Sequence, residues 1–374
     1  MLKYFSRIQL CRIDDNYQYS SFKARHKLNS FCLIRFQVNS PGGHAYLTVN
    51  QTDDRCFDRH VDYDYSNVRL IVAKIEDPDA EEKKLIYCNG KQGMDRDIWE
   101  EYEDLSPGEY YMFVEFDWPD NVQHTEFSVS CYGKSKAIFL RDEKSLYNKD
   151  DLVRELMGSC GELELAPEGK VTNFAEQGAP GITKYFAMTE EGYGYVHIVN
   201  NEQEAKYREN INYTKFDKLE LQKPFKGTSY DIEVLPGQKK TVVFRQMDPT
   251  GFAMASQIMM SAVLHGPEKL KQLCKEKGKK TQRLHTKTKA PYEIYQYQYK
   301  HQSGIAYFYE NLTQGNTLQE KLQFQLSGLT IEGNDEGNNI VEFRLGPGQT
   351  KFVELKAIGG MQWKIGCGMA YGIM

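Results

Sequence analysis

The sequence has no apolar run long enough to span a bilayer. At the N-terminus, charged residues interrupt every short apolar stretch. This pattern predicts neither a membrane helix nor a signal peptide, and therefore a cytoplasmic protein. An excess of one charge is also missing, because 47 basic and 52 acidic residues give a net charge of −5. No overall basic field favours nucleic acid as a partner, and a membrane partner is not expected.

Paired cysteines are missing as well. The chain has no CxxC motif and no Cys/His spacing typical of zinc sites. Its cysteines are scattered, which indicates reduced thiols: Cys11, Cys32, Cys56, Cys88, Cys131, Cys160, Cys274 and Cys367. Two matches to the glycosylation sequon, Asn212-Tyr213-Thr214 and Asn311-Leu312-Thr313, are expected to be chance in the absence of a secretory signal.

Aromatic residues, by contrast, are abundant, with 25 Tyr and 19 Phe. Such rings pack well across neighbouring strands, which favours an all-β fold. From Ser30 to Gly133, short alternating runs such as AYLTVN and VRLIVAKI are separated by turn residues. This pattern predicts an antiparallel β-sandwich of about 100 residues. The full length of 374 residues leaves room for further modules.

Two segments depart from the strand pattern. The first is predicted to begin a helix near Asn148, since acidic residues follow at the positive end of the helix dipole. Its expected apolar face consists of Leu152, Val153, Leu156 and Met157. We expect Gly158 and Gly161 to end this helix. A second helical segment, Pro267–Lys277, leads into a Lys-rich stretch that ends near Thr288.

The strands that follow the first helix contain an internal repeat. DIEVLPGQKKTVVFRQ (231–246) aligns with EFRLGPGQTKFVELKA (342–357), which places Pro236-Gly237 opposite Pro347-Gly348. Lys218-Leu219-Glu220-Leu221 also aligns with Lys321-Leu322-Gln323-Phe324. Pro followed by Gly is typical of a type II turn, and no GKS, GKT or GxGxxG pattern accompanies these glycines.

The repeat predicts three antiparallel sandwich modules joined by short helical connectors. The expected divisions are a first sandwich over 27–140, a helical connector over 141–165, a second sandwich over 166–265, a basic connector over 266–289 and a third sandwich over 290–374.

The first module resembles the calpain C2-like domain, often called domain III. The resemblance depends on the order and spacing of fragments that include QTDDRCF (51–57), YDYSNVRL (63–70), PGEYY (107–111), VEFDW (114–118) and SCYG (130–133). The resemblance implies a C2-like sandwich, and the repeat resembles the extra sandwich modules of calpain-like proteins in protists. Residues 1–26, with KYFSRIQLC (3–11), resemble the segment that leaves a calpain protease core.

The motifs of a calpain protease core are not found. Neither a QGxxGDCW-like cysteine context nor an NPWG-like segment occurs, so no nucleophile, base and orienting amide can be assigned. Gly43-His44-Ala45-Tyr46 reproduces a GHAY sequence that is found around the calpain catalytic histidine. However, the DDRCF run that follows places His44 on an early strand of the C2-like domain. Cys32 alternates with apolar residues, as a core thiol would.

Acidic residues on loops of a C2-like sandwich are candidate ligands for calcium, which takes six to eight oxygen ligands. The candidates are Asp53, Asp54, Glu76, Asp77, Asp79, Asp117 and Asp120. The alternative is a set of solvated acidic loops, and it is favoured because no EF-hand pattern appears. No other metal or cofactor is expected.

Two further features have both an ordinary and a functional interpretation. The segment from Lys269 to Lys289 is strongly basic, which suits either simple solubility or docking on an acidic polymer such as tubulin or an anionic lipid. Tyr295, Tyr297 and Tyr299 lie on one face of a strand. Packing against the opposing sheet is expected for them, and an exposed aromatic face would instead indicate an interface.

The sequence therefore predicts a non-catalytic, calpain-like structural or interaction protein whose partners are other proteins in a larger assembly. The resemblance implies a cytoskeletal, microtubule or ciliary location. One alternative is the regulatory C-terminal part of an active calpain cysteine protease. The other is a calcium-dependent phospholipid-binding C2-type module.

Overall fold

The computed structural model describes residues 16–26, 30–57, 63–80, 83–118, 125–285, 288–334, 338–358 and 363–374. Within them, antiparallel strands form six sheets, and each core between paired sheets is filled by alternate residues of the strands. The all-β sandwich prediction is confirmed. No helix in these ranges is both long enough and apolar enough to cross a membrane.

The first module packs a four-stranded sheet A (order β1-β8-β3-β6) against a five-stranded sheet B (order β5-β4-β7-β2-β9). Its strands are β1 (Gln18–Arg25), β2 (Cys32–Val38), β3 (Gly43–Gln51), β4 (Asn67–Ile75), β5 (Leu85–Gly93), β6 (Asp97–Leu105), β7 (Gly108–Asp117), β8 (Glu126–Gly133) and β9 (Ala137–Asp142). The predicted linker over 1–26 needs correction, because β1 pairs with β8 along its whole length. Residues 1–15 lie outside the described ranges.

The second module packs sheet C (order β10-β11-β12-β16-β14) against sheet D (order β15-β13-β17). Its helix and strands are α1 (Lys149–Glu162), β10 (Lys170–Phe174), β11 (Ala179–Met188), β12 (Tyr193–Asn200), β13 (Lys206–Asp217), β14 (Leu219–Leu221), β15 (Ser229–Val234), β16 (Lys239–Gln246) and β17 (Ala253–Leu264).

The third module repeats this arrangement, with sheet E (order β18-β19-β20-β24-β22) against sheet F (order β23-β21-β25). Its elements are α2 (Pro267–Lys277), β18 (Lys279–Leu284), β19 (Pro291–His301), β20 (Gly304–Asn311), β21 (Leu318–Ser327), β22 (Leu329–Ile331), β23 (Ile340–Leu345), β24 (Thr350–Ala357) and β25 (Lys364–Ile373). The helix and eight strands of the third module occur in the same order along the chain as those of the second module.

Helix α1 begins as predicted. The Asn148 side chain accepts hydrogen bonds from the backbone N–H groups of Asp150 and Asp151, which satisfies two free donors of the first turn. The prediction that glycines end the helix is wrong, because α1 continues through Gly158 and Gly161 to Glu162. Both glycines are buried against sheet C, and added Cβ atoms would lie 3.1 and 3.0 Å from their nearest neighbours. They therefore allow the helix to approach the sheet closely.

The helices belong to the repeats and are not free connectors. Leu270, Leu273 and Cys274 of α2 are buried against the outer face of sheet E. Strand β18 then pairs with β19, with Lys279 opposite Gln298 and Leu284 opposite Pro291. The predicted boundary at residue 290 is thus corrected, because it would separate two paired strands. The third module begins with α2.

The aligned Pro-Gly turns are equivalent, and each is held by a buried asparagine that sequence analysis missed. Gly237 and Gly348 have φ of 73° and 70°, as a type II turn requires. Their N–H groups donate to the backbone carbonyls of Asn200 and Asn311, at 2.8 Å in both modules. The Asn200 amide also donates to the carbonyls of Ala205 and Val234 at 2.8 and 3.0 Å.

Asn311 makes the same pair of contacts, at 2.7 Å to the carbonyl of Asn316 and 2.9 Å to that of Leu345. Asn311 is fully buried, so the match to a glycosylation sequon at this position is explained by a structural role. The other predicted alignment is wrong, because Leu219–Leu221 corresponds to Leu329–Ile331 rather than to residues 321–324.

The first module shares the strand neighbours of the other two. Sheet order β4-β7-β2-β9 matches β14-β16-β12-β11, and order β8-β3-β6 matches β17-β13-β15. Strand β9 comes last among the shared strands of the first module, whereas its counterpart β11 comes first among those of the second. The two modules are therefore circular permutations of one another. Strands β1 and β5 are additions at the two sheet edges. Strand β8 is therefore the equivalent of β17 and β25.

Candidate functional site

His44 and Cys32 lie in different sheets and have different partners. His44, on β3 of sheet A, contacts the Tyr17 hydroxyl through Nδ1 at 2.6 Å and the Glu101 carboxylate through Nε2 at 2.8 Å. The Tyr46 hydroxyl donates to the same Glu101 oxygen at 2.9 Å. Hydrogen bonds from His44 and Tyr46 hold the pKa of Glu101 below its usual range. These contacts form a polar cluster that links strands of sheet A.

Cys32 lies on β2 in the core between sheets A and B and is fully buried. Burial, together with nearby Asp142, raises the pKa of its thiol to about 12. A thiol is a poor nucleophile unless its pKa is lowered, so this environment favours an inert core residue.

The first group of candidate calcium ligands lies at one end of the first module. The Asp53 carboxylate accepts hydrogen bonds from the guanidinium groups of Arg55 at 2.7 Å and Arg96 at 2.8 Å. Positive charges on two sides of a carboxylate oppose the binding of a cation there. The side chain of Asp54 and the whole of Asp120 lie outside the described residues.

Asp117 lies at the same end of the module and is also paired with arginines. Its Oδ2 accepts hydrogen bonds from Arg69 at 2.7 Å and Asn67 at 2.8 Å, and its Oδ1 pairs with Arg245 of the second module. Its carboxylate is therefore shared between two guanidinium groups. This arrangement favours a link between modules over a calcium ligand.

The acidic loop with Glu76, Asp77 and Asp79 lies at the opposite end of strand β4. Asn67 at the start of β4 is opposite Asp117, and β4 continues for nine residues to Ile75. At about 3.3 Å per residue this separates the two groups by about 30 Å. Glu76 pairs with Lys84 at 2.7 Å, and Asp77 accepts from the backbone N–H of Asp79. The predicted ligands are thus not brought together.

Within the described ranges, no three His, Cys, Asp or Glu side chains lie close enough to share a metal ion. Calcium binding stays a prediction.

A buried ionic network joins the first two modules around Glu115 of strand β7. This carboxylate lies 2.5 Å from Lys149 of α1 and 3.3 Å from Arg245 of β16, and it accepts a 2.6 Å hydrogen bond from the Tyr193 hydroxyl. Arg69 is fully buried 3.6 Å away. Burial alone would raise the pKa of Glu115, but Arg245, Lys149 and Arg69 outweigh it and hold the pKa below its usual range.

Sequence analysis did not find this network. Its signal is the presence of charged residues inside otherwise apolar strands, since Arg69 stands in VRLIVAKI and Glu115 in EYYMFVEF. Residues so placed must be paired when the strands are buried on both faces. One of the partners, Arg245, lies more than a hundred residues further along the chain, so the pairing itself cannot be predicted from local spacing.

The basic segment is largely part of helix α2 and strand β18. Lys271 pairs with Glu268 at 2.6 Å, and Lys275 pairs with Glu310 and lies over the Phe308 ring. Arg283 is buried and donates to Glu320 at 2.6 Å. The lysines therefore cover the aromatic outer face of sheet E, whereas Arg283 lies between sheets E and F. Lys287 lies outside the described residues.

The tyrosines of β19 lie in a different layer from the one predicted. Tyr295, Tyr297 and Tyr299 face the outer side of sheet E, where they pack with α2, whereas Ile294, just before Tyr295, points into the sandwich. Tyr295 and Tyr299 are only partly buried. Lys280 lies 3.8 Å from the centre of the Tyr295 ring. We call this surface, with Phe352 and helix α2, the sheet E face.

The sheet E face is the counterpart of a surface that is covered in the second module. There, the outer side of sheet C packs on α1, and α1 packs in turn on the outer side of sheet B. Tyr193 and Tyr195 are almost completely buried as a result. The sheet E face is therefore the candidate site for contact with another protein.

Comparison with known proteins gives no family. No family model matches the chain, and no curated protein matches it. Among solved structures, an oxalate decarboxylase of Lactobacillus farciminis in complex with formate is 9% identical, over 71% of this chain and 90% of that chain, with a TM-score of 0.14. A GH2 β-galacturonidase of Eisenbergiella tayi bound to galacturonate is 9% identical, over 90% of this chain and 45% of that chain, with a TM-score of 0.11. Similarities this weak carry no functional argument.

Proposed function

We propose that this chain is a non-catalytic, calpain-like structural or interaction subunit of a larger protein assembly. The fragments that resemble the calpain C2-like domain fall within the first module, and the repeated sandwiches follow it. The first two modules share an apolar core through α1 and a buried ionic network. Such an arrangement supports a scaffold that holds its outer faces in fixed positions.

The observation that carries the proposal is the placement of Cys32 and His44. The cysteine is buried between sheets with a raised thiol pKa, and the histidine contacts Tyr17 and Glu101 in another sheet. Nucleophilic catalysis needs a base within hydrogen-bond reach of an activated thiol. Each residue instead has a structural partner of its own.

The partner is proposed to be a protein, and the resemblance favours the cytoskeleton. The sheet E face offers partly exposed aromatic rings beside lysines, which is a composition suited to a protein interface. Acidic tails of a polymer such as tubulin would complement these lysines. This contact would weaken with salt, since exposed charges are screened.

The first test is a protease assay on the purified chain with calcium and casein. We expect no cleavage above the buffer background. Calcium-dependent cleavage that is lost in Cys32→Ala would overturn the non-catalytic assignment.

The second test is co-sedimentation with polymerised tubulin. We expect the chain to enter the pellet at low salt and Lys280→Glu to reduce the bound fraction, because Lys280 is exposed and lies over the Tyr295 ring of the sheet E face. The matched control is Lys170→Glu, since Lys170 is exposed at the start of the equivalent strand β10. A chain that stays in the supernatant, or equal effects of both variants, would contradict binding to tubulin through the sheet E face.

A further inference from the structure

Three equivalent strands differ in what lies beside them. Strand β8 of the first module pairs with β3 on one side and with β1 on the other, from Gln18 opposite Gly133 to Arg25 opposite Glu126. Strands β17 and β25 occupy the same place in the later modules. Over the described part of the chain, each pairs on one side only, with β13 and β21 respectively.

The missing neighbour leaves apolar side chains open to solvent. Val129 and Cys131 of β8 are 0% and 1% exposed. Ile258 of β17 and Met369 of β25, by contrast, are 60% and 51% exposed. In the first module, the additional edge strand β1 thus covers the part of the core that β17 and β25 leave exposed in the later modules.

The open strands also lack the charges that normally protect a sheet edge. Unpaired edge strands invite pairing with another chain, and proteins prevent it with charge, bulges or short length. The edge strands β6, β15 and β23 contain acidic or basic residues, and β14 and β22 are only three residues long. Strand β17 has no charged residue in twelve, and β25 has only Lys364, at its first position.

Of the two uncharged edges, β25 is better suited to accept a strand. The β13–β17 ladder changes register twice, once beside Met260, and such bulges bend an edge away from a flat partner. The β21–β25 ladder runs without a break from Leu318 opposite Ile373 to Ser327 opposite Lys364. Strand β25 therefore presents ten residues of regular, nearly uncharged backbone.

We propose that β25 is a self-association edge, at which a second copy of this chain pairs its own β25 in antiparallel orientation. A twofold axis through the strand centre would place Lys364 of each copy near Ile373 of the other, so no like charges would be opposed. The second copy is favoured over an unrelated peptide because it supplies the same open and uncharged edge. The two F sheets would become one six-stranded sheet, and each copy would gain the neighbour that β1 provides to β8.

Only the biological purpose of the pairing rests on the proposed function, since a subunit that pairs with itself suits a larger assembly. The pairing itself is measured on the purified chain without any partner. A failure here would leave the tubulin and protease tests untouched, and the reverse also holds.

The test compares the mass in solution of the wild-type chain and two variants by light scattering and sedimentation velocity. We expect the wild type to approach twice its 43.3 kDa as concentration rises. Ala370→Glu should be a monomer, because Ala370 is exposed within two residues of the axis and the carboxylates of the two copies would lie close together on one face of the joined sheet. Ala370 lies opposite Lys321 within the chain, which favours folding of this variant.

The matched control is Ala255→Glu. Ala255 is exposed on β17 and also lies opposite a lysine, Lys215. This variant should dimerise like the wild type. The proposal is overturned by a wild type that stays monomeric, by an Ala370→Glu variant that still dimerises, or by loss of the dimer in Ala255→Glu instead. Circular dichroism and thermal unfolding establish that each variant is folded, and Ala370→Lys repeats the measurement if Ala370→Glu is not.

Discussion

Helices α1 and α2 begin equivalent repeats, yet they make different junctions. Helix α1 lies between sheet B of the first module and sheet C of the second, so that its apolar side chains are buried from both sides. Helix α2 is buried against sheet E, and its contacts with the second module include Leu273 against Gly178 and the Lys277 ammonium to the Glu176 carbonyl at 3.1 Å. The same element thus joins two modules through a shared apolar core in one place, whereas in the other its apolar side chains are buried mainly against one module.

The difference has a physical origin in what faces the helix. Sheet B presents an apolar outer face with Ile71, Ala73 and Phe113, and the charges beside it are paired with Arg245 and Lys149 across the junction. At the second junction the polar contacts are made largely by loops, such as His265 to the Gln177 carbonyl at 2.6 Å. A shared apolar core makes two modules unfold together, whereas polar loop contacts do not.

The largest expected effect comes from breaking the network of the first junction. In Glu115→Gln, the buried Arg69 and the partly buried Arg245 would keep only the carboxylate of Asp117, and Lys149 would lose its partner. Removal of one partner from a buried ion pair costs roughly 3–5 kcal/mol.

The matched control is Glu310→Gln, which removes the partner of the half-exposed Lys275 of α2 and should cost below about 1 kcal/mol. Urea unfolding of the full chain measures both. Equal losses would show that the network does not strengthen the first junction.

The next effect separates the two junctions by location. Leu156→Ala and Leu273→Ala each create a cavity under a buried helix, at a cost of roughly 2–5 kcal/mol. We expect amide hydrogen exchange to speed up in sheets B and C together for Leu156→Ala. For Leu273→Ala it should speed up in sheet E alone. Faster exchange in sheets C and E for both variants would mean that the three modules form one cooperative unit.

The two junctions should also respond to pH in opposite directions. Glu191 lies in the β11–β12 hairpin beside Tyr87 of the first module, and burial raises its pKa to about 7. Its unfolded pKa is near 4.3, so the folded state binds the extra proton and stability is lost as pH rises through about 7. His301 lies in the β19–β20 hairpin, where burial lowers its pKa to about 4. Its contribution is present above about pH 6.5 and is lost as pH falls toward 4.

These opposite slopes are measured by unfolding at about pH 5 and about pH 7. In Glu191→Gln, the unfolding transition of the first two modules should no longer lose stability between these two pH values. His301→Gln should remove the gain for the third module. The prediction fails if both variants change the slope in the same direction.

The smallest effect concerns the feature that the two repeats share. A Cβ atom at Gly237 or Gly348 would meet no atom within 4 Å, so Gly→Val should cost only the backbone strain of a positive φ, about 1–3 kcal/mol. The two losses should be similar because the turns are equivalent. Gly→Asn at each position is the control and should be milder, since Asn tolerates this conformation. Thermal unfolding that shifts for one position only would show that the turns are not equivalent.

Local pattern was sufficient where local physics decides the structure. Alternating residues indicated the strands, the Asn148 cap and its acidic neighbours indicated the start of α1, and Pro236-Gly237 indicated a type II turn. Gly158 and Gly161 misled because a glycine in a helix can end it or admit a neighbouring sheet, and only packing distinguishes these roles.

The candidate site was less predictable because it depends on distant partners. Asp117 has a carboxylate at the end of a strand, as a calcium ligand would, but Arg245, which pairs with it, belongs to another module. The sequence predicted a basic connector in which the lysines of α2 and β18 are free, whereas the aromatic rings and carboxylates that they contact lie on β19 and β20.

The clamp formed by Asn200 and Asn311 has a consequence for how such repeats diverge. In the described part of the chain, each amide nitrogen donates only to main-chain carbonyls, and each amide oxygen accepts from a backbone N–H two residues further on. Of the described side chains, only the Thr313 hydroxyl adds a contact, to Asn311 at 2.7 Å, so the clamp places little demand on the side chains of the loops it holds. Substitutions in those loops can accumulate while the path of the backbone stays the same. The loops of two copies can therefore diverge while one buried amide and one glycine stay the same, as they do in these two modules.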